Sequence, residues 1–116
     1  MRKTIFLALV SAWCAAPGLA SAPAWSRAAA VPTRAGPLNV LRLEGDRLLW
    51  NGQAVSEATV RQFLGVVATH MSPQPLTVLS YGATTSPEQV RQARSLVDKA
   101  VACTPRTCLE VTSPAG

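Results

Sequence analysis

The dipeptide Asn51-Gly52 narrows the possible folds more than any other feature of the sequence. Both residues tolerate positive φ, which a two-residue hairpin turn favours at its central positions. Arg47-Leu48-Leu49-Trp50 before it and the short run Gln53-Ala54-Val55 after it therefore read as paired strands. Upstream, Leu38-Asn39-Val40-Leu41-Arg42-Leu43 is a largely apolar strand, joined to Arg47 through the turn Glu44-Gly45-Asp46.

Helix signals follow directly. Ser56 can cap a helix and Glu57 lies in its positively polarised first turn. Val60, Phe63, Leu64, Val67 and Met71 recur at helical spacing and mark one apolar face. Ser72-Pro73-Gln74-Pro75 ends that helix, Leu76 to Ser80 reads as a strand, and Tyr81 to Thr85 as a loop. Ser86-Pro87-Glu88-Gln89 is a full helix start: an N-cap serine, proline at the first position and a glutamine that completes a capping box. This second helix is expected to bury Val90, Ala93, Val97 and Ala100 or Val101, with Arg94 able to pair with Asp98 one turn on. Leu109 and Val111 alternate with Glu110 and Thr112 in a last strand, and residues 113–116 form a fraying tail.

The predicted order over residues 38–112 is β-β-(β)-α-β-α-β, an α+β sandwich with two helices packed on one face of a sheet. The first strands and the last strand are its expected edges. No fixed-period repeat is present, and 116 residues leave room for one domain.

The N-terminus reads as a signal peptide over residues 1–22. Arg2 and Lys3 precede an apolar run from Thr4 to Ala16, Pro17-Gly18 breaks it, and small residues follow at Ala20 and Ala22. Cleavage after either alanine fits, although Pro23 makes the second a poor new terminus. An uncleaved anchor competes with this reading, but a spanning helix needs about 20 apolar residues and the Pro17-Gly18 break comes early. A lipoprotein acylated at Cys14 would want a small residue where Trp13 stands. Residues 23–37, with three prolines and many alanines, read as a linker in which Trp25 is an exposed aromatic.

Export leaves two cysteines, Cys103 and Cys108, in an oxidising compartment, where an even count suggests a disulfide. A bridge around Thr104-Pro105-Arg106-Thr107 adds about 2 kcal/mol by loop-closure entropy. The spacing is longer than the Cys-x-x-Cys of redox enzymes, and the first cysteine follows a helix instead of starting one. Losing Arg2 and Lys3 takes the formal charge from +5 to +3. The remaining arginines are scattered, without the clustered cations and stacking aromatics that nucleic-acid binding needs.

Catalytic, metal and cofactor assignments are all none. His70, the one histidine, falls in the last turn of the first helix, where an imidazolium complements the helix end, and reads as a surface residue. A hydrolase built on it would need a nucleophile or an orienting carboxylate. A metal would need several ligands at suitable spacing, and no phosphate-binding glycine loop or nucleophile motif is present.

Residues 38 to about 112 resemble the periplasmic domain of the ExbD/TolR biopolymer-transport family. The resemblance is carried by Leu41 to Ser56, which includes Leu49-Trp50-Asn51-Gly52, by the helix through Leu64, by Pro75 to Leu79 and by the spacing from Leu79 to Val90. Family members carry an N-terminal membrane helix with a proton-coupling aspartate. Here the apolar segment holds no acid, and Gly82 stands where many members have aspartate. The Cys103–Cys108 pair is not a family hallmark. The resemblance implies the fold, the compartment and a tendency to pair with itself or with envelope partners; it implies no motor activity. The expected function is an exported, periplasmic or secreted, non-enzymatic interaction module. Its expected partners are its own copy (a homodimer), a TonB- or TolA-like protein or peptidoglycan, without nucleic acid and without stable membrane insertion after cleavage. The alternatives are a membrane-anchored ExbD-like transport component and a secreted inhibitor acting through its disulfide loop.

Overall fold

The computed structural model describes residues 24–33 and 36–113. The signal-peptide segment, with Cys14, lies outside the described residues, as does most of the expected tail. Six strands and two helices follow in the order β1 (Ser26–Ala28), β2 (Leu38–Glu44), β3 (Arg47–Trp50), β4 (Gln53–Val55), α1 (Glu57–His70), β5 (Leu76–Gly82), α2 (Pro87–Asp98) and β6 (Cys108–Ser113). They form one mixed sheet of order β1-β6-β5-β2-β3-β4 with both helices on one side. The α+β class and the helix placement are as the sequence predicts.

Local chemistry explains the elements. Asn51 (φ 50°) and Gly52 (φ 89°) supply the two positive-φ positions of the β3–β4 turn. The Asn51 side chain also accepts from the Val40 N–H at 2.8 Å and donates to Asn39 Oδ1, so it extends the β2–β3 pairing by one step. Ser56 caps α1 by accepting from the Thr59 N–H at 3.1 Å. Ser86 and Gln89 close the reciprocal capping box of α2.

The main core lies between sheet and helices. Leu41, Leu43, Trp50, Leu79 and Cys108 from the sheet meet Val60, Leu64 and Val67 of α1 and Val90, Ala93, Val97 and Val101 of α2 and its exit. The buried stripe of α1 is narrower than the periodicity suggests. Phe63 is 38% exposed and leans on Trp50, while Met71 lies beyond the helix end at 40%.

Residues 23–37, read from sequence as a linker, contain a core residue and a strand among the described positions. Trp25 is 6% exposed, inside the main core, and its Nε1 donates to Asp98 Oδ1 at 3.1 Å. Arg94, expected to pair with Asp98, pairs with Glu110 instead. Ser26–Ala28 then pairs parallel to β6, in register Ser26–Leu109 to Ala28–Val111. This corrects the expected edge at the last strand: β6 is interior, and among the described residues the outer strands are β1 and β4. Ser113, assigned to the tail, is the last residue of β6 and lies opposite Gly82.

A second apolar layer lies on the other side of the sheet. Leu76, Val78, Leu109 and Val111 are buried on the face away from the helices, with Leu38 and Val40 packed against them. β1, β6, β5 and β2 are all parallel. A sheet covered on both sides has strands that are apolar on both sides, and β5 is buried at six of its seven positions.

Candidate functional site

Cys103 and Cys108 form the expected disulfide, with Cα atoms 5.2 Å apart. Cys108 is fully buried in the main core, so the bridge anchors the exit of α2 to the start of β6. The loop it encloses is a hydrogen-bonded turn. The Thr107 N–H donates to the Thr104 carbonyl at 2.9 Å, and Thr107 Oγ1 accepts from the Thr104 N–H at 2.8 Å. His70 sits exposed in the last turn of α1. Among the described residues, no group of three or more His, Cys, Asp or Glu side chains could hold a metal ion.

The structure places a buried polar cluster at β6. Glu110, which alternates with Leu109 and Val111 in the last strand, is only 2% exposed. Arg94 of α2 donates to both of its oxygens, and Tyr81 of β5 donates its hydroxyl to Oε2. Arg27 of β1 is its cross-strand neighbour. Burial pushes the Glu110 carboxyl up, but the hydrogen bonds from Arg94 and Tyr81, together with the Arg94 and Arg27 charges, outweigh it and hold the group below its ordinary value. Burial, with the hydrogen bond to Glu110, raises the Tyr81 hydroxyl. A shallow cleft of about 350 Å³ opens beside the cluster, lined by Tyr81, Thr85, Pro87, Val90, Arg91 and Arg94. Both Glu110 oxygens are already engaged by protein donors. The cluster thereby clasps α2 to the sheet.

The surface offers a different feature at the far edge. Among the described residues no strand lies beyond β4, and Gln53 and Ala54 are exposed. In a two-residue hairpin the flanking pair Trp50–Gln53 shares the ladder bonds, so Gln53 and Val55 address β3 and the Ala54 N–H and C=O point outward. Gly52 to Ser56 carries no charge and no proline, two devices that commonly blunt an edge. The other edge, β1, carries Arg27. Phe63 of α1 packs tilted on Trp50 of β3, the strand next to β4, with ring centroids 5.5 Å apart, and Val66, one turn on, is 49% exposed.

The sequence held a signal for Glu110. Cys108, Glu110 and Thr112 share one face of β6, and the bridge from Cys108 to the exit of α2 fixes that face as the helix side. Compared with known protein families, with curated proteins and with solved structures, this chain matches none.

Proposed function

We propose that this chain is an exported, non-enzymatic interaction module of the cell envelope that works as a pair with itself, as its resemblance to ExbD/TolR periplasmic domains implies. The observation that carries the reading is the β4 margin. Antiparallel pairing of β4 with its own copy would satisfy the outward Ala54 groups. The twofold axis of such a pair presents the same patch from both sides, so Phe63 and Val66 would meet their counterparts over the joined sheet. The disulfide supports a non-reducing compartment, and the absence of an acid from residues 1–22 argues against the proton-driven role of anchored relatives.

Sedimentation of the exported, oxidised protein tests the pairing. The wild type should run as a dimer, and Ala54→Pro and Val66→Glu should each give monomers with an unchanged circular dichroism spectrum. Ala54→Pro removes an outward N–H and leaves the β3 ladder intact. A wild type that stays monomeric at every concentration would refute self-pairing.

A further inference from the structure

We propose that the groove between α1 and α2 binds an acidic, amphipathic peptide segment of a partner protein; this rests on the reading of the chain as an interaction module but not on self-pairing. The groove measures about 1300 Å³, above the usual range for small-molecule clefts. Its walls and floor are apolar at Leu48 and Val55 of the hairpin and at Leu96 and Ala100 on the α2 side. All four are only partly buried, so they are packed from below and open from above. At one end, Gln89 Nε2 donates to the Gly45 carbonyl at 2.7 Å. That bond ties the first turn of α2 to the β2–β3 turn and fixes the width of the groove before any guest arrives.

The lining is cationic. Arg47, Arg61, Arg91 and Lys99 face Asp46 and Glu57, four positive groups against two negative, an excess of two. Arg61 and Arg91 pair with Glu57 and Glu88 along their own helices, and Arg47 reaches Glu44 only at 3.7 Å. Such exposed pairs hold their partners weakly and can exchange them for carboxylates of a guest. Lys99 has no carboxylate partner among the described residues.

These features select the occupant. The apolar floor calls for apolar anchors, which a bare polyanion lacks. Among the described residues no aromatic ring lines the groove, so a nucleic acid finds nothing to stack on there. The first 22 residues of the chain itself carry Arg2 and Lys3 and no acid, the wrong charge for the rim. A segment with Leu-like residues on one face and Glu or Asp on the other matches both layers, in the helix-in-groove mode. The flank of α1 that carries Arg61 faces the groove, and Phe63 and Val66 lie on another flank, whereas Ala54 of β4 borders both the groove and the outer edge of the sheet.

The test uses the exported protein and two fluorescent synthetic helical peptides with the same leucine face. One carries glutamates on the opposite face and the other lysines. The glutamate peptide should bind, more weakly as salt rises, and the lysine peptide should not. The double variant Arg61→Glu/Lys99→Glu should weaken binding by roughly tenfold or more, whereas Arg106→Glu in the disulfide loop should leave it unchanged. Equal binding of both peptides, no binding of the glutamate peptide, or full binding by a double variant of native circular dichroism would each overturn the proposal. Sedimentation of the same samples separates the two ideas. A monomer that binds the peptide refutes self-pairing alone, and a dimer that does not bind it refutes the groove alone.

Discussion

Arg94 donates to both carboxylate oxygens of Glu110, from Nε at 3.1 Å and from Nη2 at 2.8 Å, and so joins the second helix to an interior strand. Glu110 is almost wholly buried, whereas the Arg94 side chain keeps 34% of its surface. Removing the arginine strips the buried carboxylate of its bidentate partner and leaves only the Tyr81 hydroxyl and the neighbouring Arg27 charge. Arg94→Leu should therefore destabilise the domain by about 3 to 5 kcal/mol. The double variant Arg94→Leu/Glu110→Leu should cost less than Arg94→Leu alone, because no charge is then stranded. Urea unfolding of the four proteins of this cycle measures both.

The same cluster sets the pH limits of stability. Glu110 titrates below its ordinary 4.5 in the folded protein, so the unfolded chain binds the proton first. Its contribution is complete above the unfolded value and is lost as pH falls through the folded one. Tyr81 titrates above its ordinary 10.0, so its contribution is present below that value and is lost as pH rises through the folded one. Urea midpoints should be flat between these limits and fall on both sides. Glu110→Gln should flatten the acid limb.

Much of the architecture could be read from local chemistry. The Asn51-Gly52 turn, the Ser56 cap and the Ser86–Gln89 capping box each depend on residues within a few positions of one another. What escaped the reading depends on distant partners. Trp25 finds Asp98 across 73 positions, and its surroundings of Pro and Ala carry no strand signal. Glu110 alternates with Leu109 and Val111, which suggests an outward side chain, but β6 is covered on both faces, so alternation no longer marks solvent. The β4 margin was hidden because the strand order, not the chain order, decides which strands are edges.

Trp25 gives a direct test of where the folded unit begins. Trp25→Ala should destabilise the protein by about 3 to 5 kcal/mol, as for other buried large-to-small changes. Trp25→Phe should cost less, losing chiefly the bond to Asp98. Thermal melts of the oxidised protein compare them; no loss in Trp25→Ala would mean that residues 23–37 are a true linker.

Thr77 offers a gain. It is fully buried, and its Oγ1 has no hydrogen-bond partner among the described residues. Thr77→Val keeps the shape and the β-branched side chain while removing the unsatisfied hydroxyl. Stability should rise by about 1 to 3 kcal/mol, read as a higher urea midpoint at constant slope.

The central claim, an exported and internally bridged domain, is tested most directly by the intact mass of the protein recovered from the cell envelope fractions, with and without reductant. The account predicts a soluble product that begins at Ser21 or Pro23 and gains about two hydrogen masses on reduction, as one disulfide opens to two thiols. A full-length mass found only in membranes, or a mass that reductant leaves unchanged, would contradict it.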